Sequence, residues 1–342
     1  MLRKLHAVSL VLVLAAGLFG FNRATPTTAR ASSSSAASLL SLLPASDFIA
    51  YGDARQATSV VLPAIFAQKP ELKARIDRAF ADFQKETGVD PNSFDSVAVG
   101  LRFPAGGSRN DPSFVAIARG SFDAATAIDT SIAVQTRKLN SNRVKATVEY
   151  GGQTVYVSAR ADQNGAKTPS YHDEDIAAVI IDTNTVAVGD LSSMRAVIDA
   201  AAGKNRVDDE LIALATRTPG ALGGFAGNMS GMISDLIIGG HGGGDNEIGK
   251  TVSSIKQIYG SVTSAGTDMD SHVTLRTDNA EQAHNIGSMI NALKLFTKAS
   301  DNNGRRSPES LLHDVNVSVE GNEVDLTLHA SMLDVMQFAH HF

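Results

Sequence analysis

Three groups of residues have the types and spacing that chemistry requires. Gly244-Asp-Asn-Glu-Ile-Gly249-Lys250-Thr251 fits the phosphate-loop pattern. In such a loop, backbone amides cradle phosphates, the lysine neutralises the outer ones and the hydroxyl holds magnesium. Asp268, Asp270 and His272 alternate, so a β conformation puts all three on one face, where oxygen and nitrogen donors could share a metal. Ser253 and Lys256 stand one helical turn apart, a spacing that suits a lysine-activated serine.

The surrounding residues favour a plainer reading of each. Leu236-Ile237-Ile238 is the nearest strand candidate before Gly244, and Gly239-Gly240-His241-Gly242-Gly243 separates the two. Asp245 and Glu247 put negative charge where phosphates would sit. Too little chain follows to build the parallel sheet and its metal-binding aspartate. Gly244, Gly249, Lys250 and Thr251 are therefore read as a chance match, and Gly239 to Gly244 as a backbone-permissive loop. Asp268, Asp270 and His272 continue into Thr274 and Arg276, with Val273 and Leu275 on the other side. That is the solvated face of a half-buried strand.

Ser253 lacks the companion motifs of serine acyl-enzymes, and no Gly-x-Ser-x-Gly elbow occurs. His172-Asp173-Glu174-Asp175 lacks the spaced Asp/Asn and Gly of a calcium loop. No catalytic residue, cofactor or metal ligand is assigned.

The elements that would position such residues are bounded first by composition. The chain has no Cys, which excludes disulfides, thiolate metal sites, thiol catalysis and a lipid-modified N-terminal cysteine. Arg3 and Lys4, followed by the apolar run Ala7 to Phe21 and the small-residue pattern Ala29-Arg30-Ala31, form a secretory signal with cleavage near Ala31. The apolar run is shorter than the ~20 residues that span a bilayer, although an uncleaved signal would anchor the chain. Residues 1–31 hold Arg3, Lys4, Arg23 and Arg30 and no acid, leaving 26 basic against 36 acidic residues, a net charge of −10. Such a surface repels nucleic acid.

Residues 32–41 read as a flexible Ser/Ala tether. From Leu42 on, strands and helices recur in one order. Pro44-Ala-Ser-Asp-Phe-Ile-Ala-Tyr-Gly52-Asp53 matches Pro219-Gly-Ala-Leu-Gly-Gly-Phe-Ala-Gly227-Asn228 in the placing of proline, aromatic, glycine and acid or amide. Strands Ser96 to Phe103 and Ser113 to Gly120 match Ile258 to Ala265 and Ser271 to Thr277. The helix capped by Asp123 matches one over Ala280 to Lys298, and the hairpin around Gly151-Gly152 matches that around Gly321. The expectation is an α+β fold, antiparallel sheets with helices packed on one face, duplicated as units 42–205 and 206–342.

Leu42-Leu43-Pro44-Ala45-Ser46-Asp47-Phe48-Ile49-Ala50-Tyr51, with Val186-Ala187-Val188-Gly189-Asp190 and Val319-Glu320-Gly321-Asn322, resembles exported bacterial proteins defined only as a domain of unknown function. The resemblance implies an envelope location and no known activity. The leading expectation is a non-catalytic exported protein, periplasmic or extracellular, with a binding or structural role and an envelope protein or apolar small molecule as partner. One alternative is an apolar-ligand carrier, with Phe66, Phe80 and Phe83, or Leu293, Leu295 and Phe296, closing over a concave sheet. The other is a metal-dependent envelope hydrolase using Asp268, Asp270 and His272.

Overall fold

The computed structural model describes residues 35–103, 112–130, 143–160, 170–228, 247–265, 268–300 and 314–331. Among the described residues, twelve strands form a single sheet, ordered β11-β12-β10-β9-β8-β1-β2-β3-β7-β6-β5-β4. They are β1 Phe48–Asp53, β2 Phe94–Arg102, β3 Ser113–Gly120, β4 Arg143–Tyr150, β5 Gln153–Arg160 and β6 Ile176–Asp182. The rest are β7 Thr185–Asp190, β8 Gly223–Asn228, β9 Ile255–Ala265, β10 Asp268–Thr277, β11 Val315–Glu320 and β12 Glu323–Ser331. Every pairing is antiparallel, so the fold is α+β and antiparallel as expected, with one sheet where more than one was expected.

The two runs of strands meet at β1 and β8. Their register centres on Ala50↔Phe225, and the flanking pairs Phe48↔Gly227 and Gly52↔Gly223 lie symmetrically about it. Outward on each side the order repeats, β2 then β3 then β7 on one flank, β9 then β10 then β12 on the other. The neighbour of β3 is thus the hairpin β6–β7. It is this hairpin, not the β4–β5 hairpin matched from the sequence, that stands where β11–β12 stands on the other flank.

The turns follow their residues. Gly151 and Gly152 both take positive φ, 57° and 79°, as a type I′ turn between β4 and β5 demands. Helices start where an acid can accept from their free amides. Asp190 accepts from Ser193 N at 2.7 Å and Asp208 from Glu210 N at 2.8 Å, each such cap contributing roughly 1 kcal/mol.

The front face of the sheet presents Ile49, Ala98, Ile117, Val155, Val157, Val179 and Ala187, all at most 2% exposed. Three helices cover it: α1 (residues 35–40), α6 Leu191–Ala201 and α7 Asp209–Ala215. Leu39, Leu40, Leu43, Leu191, Met194 and Leu211 are almost wholly buried there, each contributing roughly 1.5–3 kcal/mol. The tether expected over 32–41 is therefore corrected: 35–40 is helical, with Ala36, Leu39 and Leu40 in the core.

The back face is covered along the chain by α2 Ala54–Gln56, a π-helical turn Ala57–Val61 and α3 Leu62–Gln68. α4 (Pro70–Thr87) follows, and then come α5 (residues 124–130), α8 (Glu247–Ser253) and α9 (Ala280–Ser300). Val61 and Ile65 pack on Leu222, Val262 and Met269. Ala124 and Ile128 pack on Ala178 and Val186, and Ala283 and Ile286 on Leu275 and Val324. Among the described residues, no helix is long and apolar enough to cross a membrane. The signal segment, with Ala31, lies outside the described residues.

Candidate functional site

Strands β9 to β12 carry a polar front face. Directly paired residues share a face, so Asp270 lies beside His329, His272 beside Thr327, Thr274 beside Asp325 and Arg276 beside Glu323. On the other side of β10 the same rows continue into Thr263, Ser261, Tyr259 and Gln257 of β9. Asp268, Asp270 and His272 thus do share one face, as their alternation requires. Their partners, however, come from β12.

His329 Nδ1 bonds Asp270 Oδ1 at 2.7 Å, and its Nε2 lies 3.7 Å from Asp268 Oδ2. His272 Nε2 lies 3.5 Å from Asp325 Oδ1, an oxygen that also accepts from Thr274 Oγ1 at 2.7 Å. Each imidazole is engaged by a carboxylate instead of converging with the others on one point. Among the described residues, no group of three or more His, Cys, Asp or Glu could hold a metal.

The hydrogen bond to the Asp270 carboxylate, and then the charge of that carboxylate, raises the His329 pKa above the ordinary histidine value. Raised folded-state protonation stabilises below the unfolded pKa and is lost as pH rises through the folded one. His329 should therefore titrate above free histidine in an NMR titration, and D270N should return it to the ordinary range. An unchanged midpoint in D270N would show that the contact does not persist in solution.

At its inner end the face closes into a network. Tyr259 is 1% exposed. Its hydroxyl donates to Glu323 Oε1 at 2.8 Å and accepts from Arg217 Nη1 at 2.7 Å. Arg276 Nε donates to the same Glu323 oxygen at 2.9 Å, and its Nη1 donates to Gln257 Oε1 at 2.7 Å and Glu210 Oε1 at 3.1 Å. Both guanidinium groups also stand against the Tyr259 ring, 5.5 and 5.3 Å from its centroid, a cation–π geometry. Burial opposes ionisation of Glu323, but bonds from Tyr259 and Arg276 and the guanidinium charges overcome it and hold its carboxyl below the usual range.

Two arginines thus face two glutamates. The charges compensate internally, and the group fastens α7 to the sheet.

Gly249, Lys250 and Thr251 lie within α8, with Lys250 in its last turn. A phosphate loop needs its lysine at the start of a helix, where amides are free. The Lys250 carbonyl accepts from Ser253 Oγ at 2.9 Å. Gly244 and the Gly239 to Gly244 loop are outside the described residues. The serine–lysine pair separates: Lys256 belongs to β9 and bonds Asp278 Oδ2 at 3.2 Å. In the acidic turn, Asp173 bonds Arg195 at 2.8 Å and Asp175 accepts from His172 N at 2.8 Å. Of the residues assigned to a carrier cavity, Leu293 and Leu295 are 52% and 72% exposed, which turns them outward.

His329, Asp325, Glu323 and Tyr259 were missed from the sequence. Glu323-Val-Asp-Leu-Thr-Leu-His329 carries the same polar alternation as β10 and was legible. Glu210 and Arg217 carry no such signal.

No family model matches the chain, and no curated protein matches it. Among solved structures, crystal form I of TP0453 is similar with a TM-score of 0.46 and 14% identity, covering 88% of this chain and 96% of that one. Crystal form III of TP0453 is similar with a TM-score of 0.46 and 12% identity, covering 89% and 98%.

Proposed function

We propose that this is an exported, non-catalytic envelope protein with a binding or structural role, built from two related α+β units. The observation that carries the non-catalytic reading is the mutual engagement of its chemistry-bearing side chains. Asp270 is bonded to His329, Asp325 lies against His272, and Glu323 is shared by Tyr259 and Arg276. Acids, bases and nucleophiles act through groups aimed at a substrate position, and here these groups aim at one another. The symmetric register of β1 and β8, with the repeated strand order on either side, supports the duplicated origin. The basic start and apolar run of residues 3–21 support export.

Fractionation of producing cells, with N-terminal sequencing of the recovered protein, tests the reading. The expected result is an envelope or extracellular pool beginning near Ser32, with no nucleotide hydrolysis and no change in that respect on Lys250→Ala. Intact chain confined to the cytosol, or hydrolysis abolished by Lys250→Ala, would overturn it.

A further inference from the structure

A half-turn about the centre of the β1·β8 pair exchanges Ala50 with Phe225. Carried along the paired registers, it exchanges Val99 with Gly260 and Leu101 with Val262, and Phe114 with Ser271. It also exchanges Asp53 with Asn228 and Leu222 with Asp47. The backbone obeys it there: Asp53 N donates to the Leu222 carbonyl at 2.7 Å, and Asn228 N donates to the Asp47 carbonyl at 2.8 Å. The chain therefore leaves β8 as it leaves β1.

Beyond Asp53, residues 54–68 cross to the other flank, where Val61 and Ile65 seat on Leu222, Val262 and Met269. The half-turn places a second seat at the opposite end of the back face. Leu101 and Phe114 are paired there, beside the stacked rings of Phe48 and Phe225, 5.9 Å apart. All four side chains are half-buried. Val99 and Ala116, on the same face, are only 9% and 7% exposed, yet neither joins the apolar clusters that seat the described back-face helices.

Residues 229–246, which follow β8, lie outside the described residues. In the sequence, Met229, Met232 and Leu236 fall where the half-turn sets the buried Ala54, Ala57 and Val61, and Ser230, Ser234 and Asp235 fall where it sets the exposed Arg55, Ser59 and Val60. The apolar residues at 229, 232, 233, 236 and 237 have the spacing of one helical stripe. The other segment that continues from this end of the sheet, 104–111, reads Pro-Ala-Gly-Gly-Ser-Arg-Asn-Asp and has no large apolar side chain to offer.

We propose that the back-face patch of Leu101, Phe114, Phe48 and Phe225 is the seat of this chain's own Met232, Ile233, Leu236 and Ile237, so that each unit is roofed by an arm of the other. Leu236 takes the place of Val61, and Leu101 that of Val262. The inference rests on the pair of related units proposed above, and on neither export nor the absence of catalysis.

With no cysteine in the chain, paired cysteines give the test. L101C/L236C and L101C/S234C are purified and oxidised with copper phenanthroline. L101C/L236C should close a disulfide within the monomer about tenfold faster, because disulfide geometry is specific and Ser234 falls on the outward side. Closure no faster than in L101C/S234C overturns the proposal. So does a disulfide between chains, which would put a second copy on the seat. Uptake of 1-anilinonaphthalene-8-sulfonate by the wild type, abolished in L101D, also overturns it, since the seat would then be open to a free apolar ligand. None of these outcomes depends on the compartment from which the protein is recovered, so failure here and failure of the fractionation test are separate results.

Discussion

Replacing Glu323 by Ala is expected to lower the free energy of unfolding by about 3 kcal/mol, the low end of what breaking a buried charged network costs. The side chain is 23% exposed, so solvent relieves part of the loss. Two groups lose an acceptor together, Tyr259 Oη and Arg276 Nε, and Arg217 loses an ion-pair partner 4.0 Å away. Tyr259 is almost fully buried, so its hydroxyl has little water to turn to. Gln at this position keeps one acceptor oxygen and should cost clearly less.

The pH dependence has a definite sign. Because the folded carboxyl is held below its usual range, its contribution is fully present above the unfolded glutamate pKa and disappears as pH falls through the folded one. The acid limb of stability against pH should therefore be shallower in E323A. Urea unfolding with an unchanged m-value measures both effects, and a loss below 1 kcal/mol would mean that the network contributes geometry without net stability.

Why this network escaped the sequence is a matter of distance along the chain. Its members stand at 210, 217, 257, 259, 276 and 323, on one helix, the connection after it and three strands, so no local spacing records them. Only the sheet brings them together. The β10 residues Asp268, Asp270 and His272 were legible because alternation is itself the geometry of a strand. Their partners in β12 alternate too, but strand neighbours cannot be assigned from alternation alone.

The single sheet escaped for a related reason. It depends on β1 pairing with β8, and Gly223-Gly-Phe-Ala-Gly-Asn228 is poor in strand-forming side chains. α1 was a failure of a different kind. Ser/Ala composition suggested a tether, although Ala36, Leu39, Leu40 and Leu43 already stand at the i, i+3, i+4, i+7 spacing of a buried helical stripe. Periodicity outweighed composition there.

The glycines that make β8 hard to recognise are what allow the join, and Gly224→Ala is the sharpest test of it. Gly224 lies directly opposite Tyr51 in the β1·β8 pair. A Cβ there would stand 2.0 Å from the Ala215 carbonyl oxygen and 3.0 Å from Tyr51 Cε1. Ala215 ends α7, so the clash is with backbone and no rotamer relieves it. Either the helix lifts or the strand bends.

Lifting α7 would withdraw Leu211, Ile212 and Leu214 from the front-face core and draw Arg217 away from Tyr259. The expected cost is about 3 kcal/mol, the upper range for overpacking a filled core. Gly152→Ala is the comparison: a Cβ there meets nothing within 4 Å, although its φ is +79°, so its penalty is only backbone strain of about 1–2 kcal/mol. Equal costs for the two substitutions in urea unfolding would mean that α7 does not rest on the strand at Gly224. A larger cost for Gly224→Ala, together with faster hydrogen exchange in α7 and β9 but not in β5 and β6, would place the damage where helix and sheet meet.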